Sequence, residues 1–155
     1  MTYAIALAIC VAAAVLEGLC AGRDPMGRLR RLKQPAWSPP AWAWVLIGLG
    51  WYAICFTALV RLLPAWPQTA APVILVCMLL LANAGANMPL FRMRRLDVAF
   101  WWLVPYWAAL AALLLTACPH DRVVCALFGA YAGYQLYAAA WQYRLWKLNG
   151  ARHTA

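Results

Sequence analysis

Apolar and polar positions hardly alternate along this chain. Apolar residues instead run in five long blocks, at about residues 2–21, 41–63, 70–91, 97–118 and 123–148. Prolines and charges collect between the blocks: Pro25, Pro35, Pro39 and Pro40 before the second, Pro64 and Pro67 before the third, Pro119 before the fifth. Each block is long enough to cross the hydrocarbon core of a bilayer as a helix, the element that satisfies its own backbone hydrogen bonds there. The blocks are continuous and rich in Ala and Leu, unlike the ten-residue alternations of a transmembrane barrel. The expected fold is an all-α membrane protein, a five-transmembrane-helix bundle forming a single domain over residues 1–155. The first block lacks a basic start and carries Glu17, so it reads as a mature helix and not as a signal peptide.

Composition narrows the class. Hydrophobic residues make up 67% of the 155 and charged residues 11%, against about 25% charged in a soluble domain, which excludes a water-soluble monomer. Disorder is excluded by the same apolarity. A net charge of +9 raises the question of nucleic acid. The charges lie between apolar blocks and form no groove-sized patch, so no nucleic-acid partner is expected. Their placement speaks to orientation. Arg23, Arg28, Arg30, Arg31 and Lys33 follow block one, Arg92, Arg94 and Arg95 follow block three, and Arg144, Lys147 and Arg152 close the chain. In a five-helix bundle these eleven share one side, leaving Arg61 and Arg122 on the other. The positive-inside rule then puts the N-terminus outside and the C-terminus in the cytoplasm. Helices of this kind point to a bacterial inner or intracytoplasmic membrane if the source is bacterial, with membrane lipid as the first partner.

Few residues carry obvious chemistry. The six cysteines form no CxxC pair, and no metal motif is present. Cysteine within a span behaves as a small apolar residue. Cys118 and Cys125 fall near the same outer face, where a disulfide is to be considered, although spacing alone does not decide it. His120 and His153 read as solvated. No Ser/His/Asp spacing, carboxylate pair or phosphate loop is visible, so no catalytic residues are expected. Glu17 has two readings: an interfacial carboxyl where helix one ends early, which is favoured, or an inward-facing acid at bilayer depth. Asp97 reads as the cap of the fourth helix. Asn83 and Asn87 lie one turn apart, placed to tie helices together, the favoured reading, or to meet a ligand; Gly85 between them permits close helix approach. Tyr131, Tyr134 and Trp141 share a face of block five at helical spacing. Of Trp101, Trp102, Tyr106 and Trp107, only some can face inward.

The connection after block one, too polar to span, ends in KQPAWSPPAWAW, residues 33–44. Its prolines forbid helix until Pro40, which suits a helix start. Trp37, Trp42 and Trp44 suit a membrane interface. Lys33, Pro35, Trp37, Pro39, Pro40 and Trp42 reproduce, in order and spacing, the Lys-x-Pro-x-Trp-x-Pro-Pro-x-Trp segment of the TspO/MBR family, the tryptophan-rich sensory proteins, which this chain resembles. Tyr52 and Arg61 continue the match. NAGANMPLFRMRR fits the third helix, with Asn83 as the family's Asn and Phe91 before the basic turn. GAYAGYQLYAAAWQYRLWKLN fits the fifth, with Tyr131 and Leu148–Asn149. The chain departs from the family where a helix-two Trp becomes Gly48, a helix-three Trp Ala86, a helix-five Trp Tyr134, and a late helix-five Asn Gln142.

The resemblance implies five helices around a ligand cavity, and family members bind porphyrins. It implies a binding protein for a hydrophobic ligand, such as a porphyrin or other tetrapyrrole, a carotenoid or a lipid, acting in sensing, regulation or transport. The expected ligand residues are Trp37, Pro40, Trp42, Trp51, Tyr52, Asn83, Asn87, Tyr106, Tyr131 and Tyr134. Gly48 and Tyr134 replace the tryptophans linked to porphyrin breakdown, so an enzyme is not expected. The alternative is an accessory subunit of a larger membrane complex, for example a photosynthetic pigment–protein complex; a homodimer is a further arrangement.

Overall fold

A computed structural model describes residues 1–150. Arg152 and His153 lie outside them. Five helices are long and apolar enough to cross a membrane. α1 (Thr2–Ala21) is followed by a short helix, α2 (Pro25–Arg31), and then α3 (Ala41–Leu62), α4 (Ala70–Asn87), α5 (Leu96–Trp101), α6 (Leu103–Ala117) and α7 (Arg122–Asn149). α5 and α6 together make the fourth span. α1 packs chiefly on α4 and also on α3, α4 packs on α6, and α7 touches α6, α5 and α3. Leu59, Leu79, Leu110 and Phe128 belong to the buried apolar core between them.

Local chemistry sets the boundaries. α1 stops at Gly22, whose φ of 81° is open to glycine and strained for other residues. Asp24 then accepts the Gly27 amide and Pro25 takes the first position of α2. That helix corrects the expectation that the prolines of this connection forbid helix until Pro40: Pro25 stands at a helix start, where its missing N–H costs nothing. Pro40, extended at ψ 156°, stands at the N-cap of α3 as its position implied. Pro89 has no N–H to give Gly85. There α4 widens into a π-helical turn, Met88–Arg92, closed by the Met93 amide on the Met88 carbonyl at 2.9 Å. Pro105 likewise cannot reach Trp101, where α5 ends, so the fourth span is broken at Trp102.

One expectation for the fourth span is corrected. Arg95, not Asp97, occupies the N-cap of α5, and Asp97 in the first turn pairs with Arg95 at 2.7 Å. Both carboxylate oxygens are taken by the neighbouring guanidinium, Arg95 Nε at 2.9 Å and Nη2 at 2.7 Å.

The end of the bundle opposite the basic turns is held by Asp121. It caps α7 through the Val123 and Val124 amides and pairs with Arg61 of α3 at 2.7 Å. Burial pushes its carboxyl up, but the two amides and the guanidinium outweigh that and hold it below the ordinary aspartate value. At the same end Cys118 and Cys125 are joined as a disulfide, which settles the pairing that spacing left open.

Candidate functional site

A cavity of about 310 Å³ lies in the half of the bundle nearer the basic turns. The last turn of α1, the first half of α3, the end of α4, the α5–α6 break and the middle of α7 form its walls, and α2 with Leu90 and Phe91 borders it at the basic end.

One wall is aromatic. Trp51 stacks on Tyr131, centroids 4.3 Å apart and planes 26° apart. Trp44 lies against Trp141 at 4.6 Å. Trp102, at the helix break, donates its indole N–H to the Ala82 carbonyl at 2.9 Å and lays its ring over Gly85. A Cβ at Gly85 would come within 3.0 Å of that ring, so the close approach permitted by this glycine is to an indole.

The polar groups are few and come from different helices. Glu17 Oε2 accepts the Tyr52 hydroxyl at 2.6 Å and the Asn83 amide at 3.0 Å. The carboxyl thereby ties α1 to α3 and α4. The early end to helix one on which the interfacial reading of Glu17 stood is corrected: α1 runs on to Ala21, and the side chain has partners on two other helices. Asn87 bonds back to the Asn83 carbonyl at 3.0 Å, within its own helix. Tyr106 and Tyr131 share a hydroxyl contact of 2.7 Å, and Gln135 donates to the Tyr131 oxygen. Trp51 is 4% exposed, and its indole N–H is buried with no acceptor among the described residues. Glu17 is the one charged side chain among the cavity's lining residues.

The structure gathers six of the ten expected ligand residues on the lining: Trp51, Asn83, Asn87, Tyr106, Tyr131 and Tyr134. Tyr52 touches the site through Glu17. Trp37, Pro40 and Trp42 stand outside the lining, and the two indoles are 45% and 66% exposed. Their segment works at one remove. Ser38 accepts the Trp141 indole N–H at 2.9 Å, Tyr137 donates to the Trp37 carbonyl at 3.1 Å, and the Asn149 amide clasps both backbone groups of Lys33 at 3.0 Å. The proline–tryptophan strap is thus fastened along α7 and holds Trp141 in the cavity wall. Lining residues absent from the expected set include Trp44, Trp102, Gln135, Trp141 and Gln142. Trp141 carried a signal, since it shares the face of Tyr131 and Tyr134. Which of the adjacent Trp101 and Trp102 turns inward did not.

The chain matches the TspO/MBR family profile over residues 6–147. No curated protein matches it. The four positions that depart from the family pattern, Gly48, Ala86, Tyr134 and Gln142, all line this cavity.

Proposed function

The chain belongs to the TspO/MBR family, and from its cavity we propose that it binds a flat, hydrophobic, ring-bearing ligand, of the tetrapyrrole or pigment class or a lipid of similar shape, for sensing, regulation or transport. The observation that carries this reading is the aromatic-walled cavity of about 310 Å³ with its few convergent polar groups. Small-molecule sites have this character: mostly apolar walls, within roughly 300–1,000 Å³, with sparse polar groups that fix orientation. Rings would stack on the Trp51–Tyr131 face, Glu17 of α1 and Asn83 of α4 offer hydrogen bonds to the same cavity, and an acceptor on the ligand would satisfy the Trp51 N–H if that ring turns. Binding is favoured over turnover because the two family indoles linked to porphyrin breakdown are here Gly48 and Tyr134, both on the cavity lining.

The orientation belongs to the same proposal. Extracytoplasmic N-terminus and cytoplasmic C-terminus are supported by the arginine-rich turns at one end and by the Cys118–Cys125 disulfide at the other, since disulfides persist in oxidising compartments. An inner or intracytoplasmic bacterial membrane would meet both conditions.

The test is a titration of the purified protein in neutral detergent with a porphyrin, a carotenoid and a sterol, read by tryptophan quenching and ligand absorbance. Saturable one-to-one binding of at least one is expected. Linear, unsaturable partition of all three would end the reading.

A further inference from the structure

A second cavity, of about 260 Å³, opens at the basic end. Arg28 and Arg31 of α2 and Arg94 of the turn before α5 stand on its wall, over an apolar floor that includes Leu90, Phe91 and Leu96. Arg28 is fixed in place by donating to the Phe91 carbonyl, and its guanidinium has further N–H donors to offer.

The charge here is uncompensated. Among the described residues the ion pairs are Arg61–Asp121 and Arg95–Asp97, and neither involves these three arginines. Asp24, the nearest carboxylate in sequence to α2, is engaged with the Gly27 amide. Arg94 also has a φ of 56°, a conformation that disfavours a side-chain-bearing residue. Glycine would be the unstrained choice there, yet the chain places a guanidinium at the cavity.

We propose that this pocket holds the head group of an anionic phospholipid, with the arginines on the phosphate and the start of an acyl chain on the leucine–phenylalanine floor. Three features select that occupant. Guanidinium groups match phosphate oxygens in geometry and charge. The apolar floor gives an amphiphile an advantage over a soluble anion. The pocket lies where the fifth, third and first spans end at the basic side, the level at which basic pockets between helices meet anionic lipid heads. The proposal is independent of what the larger cavity binds.

The experiment uses the full chain in neutral detergent, with phosphatidylglycerol and phosphatidylcholine of identical acyl chains titrated in and retained lipid counted by native mass spectrometry. The wild type is expected to retain phosphatidylglycerol at roughly hundredfold lower concentration, since each of the three arginines favours the anionic head group. Arg31→Gln with Arg94→Gly should abolish that preference. Arg94→Gly relieves the left-handed backbone, so the variant should keep its melting temperature and the loss cannot be laid to unfolding. Arg30→Gln with Arg144→Gln, which removes two charges at the same end but off the pocket lining, should keep the preference. Equal retention of the two lipids by the wild type would overturn the proposal. So would a preference that survives in the pocket variant, one lost equally in the control, or displacement of phosphatidylglycerol by millimolar inorganic phosphate, which would assign the site to a soluble anion.

Discussion

Glu17→Leu probes the hydrogen-bonded tie among α1, α3 and α4. The substitution removes the acceptor of two hydrogen bonds, from Tyr52 at 2.6 Å and Asn83 at 3.0 Å, both on Oε2. Leucine enters a bilayer more readily than glutamate, but that gain is shared by the inserted, unpacked helix and largely cancels. What remains is the loss of ties among α1, α3 and α4. Inter-helix hydrogen bonds in membrane proteins average about 0.6 kcal/mol and reach about 1.7. A carboxyl taking both donors on one oxygen belongs in the upper half of that range, so the pair contributes about 2 kcal/mol. Tyr52→Phe, which removes one donor and leaves the ring, should cost about 1 kcal/mol. Because Tyr52 has nothing left to donate to in Glu17→Leu, the two effects should not add: a coupling energy near 1 kcal/mol is expected. Equilibrium unfolding in mixed micelles with rising SDS, followed by far-UV circular dichroism for wild type, both singles and the double, measures it. Additivity within about 0.3 kcal/mol would mean that Glu17 is solvated at the interface, and the network would have no energetic standing.

Other perturbations read other parts. Gly48→Trp restores a family indole where a Cβ meets nothing within 4 Å; the ring should enter the cavity and weaken ligand binding at least about tenfold, some 1.4 kcal/mol, with the melting temperature unchanged or raised. Asp121→Ala removes the α7 cap and the Arg61 pair and should cost about 1 kcal/mol in thermal unfolding. Because the Asp121 carboxyl lies below its ordinary value, its contribution is present above the unfolded value of about 3.9 and is lost as pH falls through the lower, folded value. The gap between wild type and Asp121→Ala should therefore close in acid and stay constant near neutrality. Asn149→Ala frees Lys33 from α7 and should raise amide exchange at Lys33 about tenfold, with helix content unchanged by circular dichroism.

Much of the fold was legible because bilayer solvation writes it directly. Unbroken apolar blocks between proline and arginine clusters gave five spans within a few residues of their ends. The interruptions inside spans had signals too, in Pro89 and Pro105, but a missing N–H says only that a helix must adjust. Whether it widens at Met88–Arg92 or breaks at Trp102 depends on what packs beside it. Likewise the Asp24–Pro25 pair is a helix start inside a connection whose prolines, taken together, argue against helix. The site divides along the same line. Positions on one helix face, such as Tyr131, Tyr134 and Trp141, could be grouped from spacing. Glu17, Tyr52 and Asn83 could not, because their meeting depends on how three helices are rotated against one another. The family-like strap was the clearest motif in the sequence, yet its tryptophans lie outside the cavity; it shapes the site through Ser38 and Trp141.

A ring-bearing ligand in the cavity beneath α2 should be visible in the protein as it leaves the membrane. Its most direct test is the absorption spectrum of wild type and Gly48→Trp purified side by side, by gentle solubilisation of the native membrane. A small particle with a stoichiometric tetrapyrrole or carotenoid band is expected in the wild type, and little or none in the variant. Identical bands in both, or pigment found only in a large particle with other subunits, would contradict it and favour an accessory subunit whose cavity is no longer used.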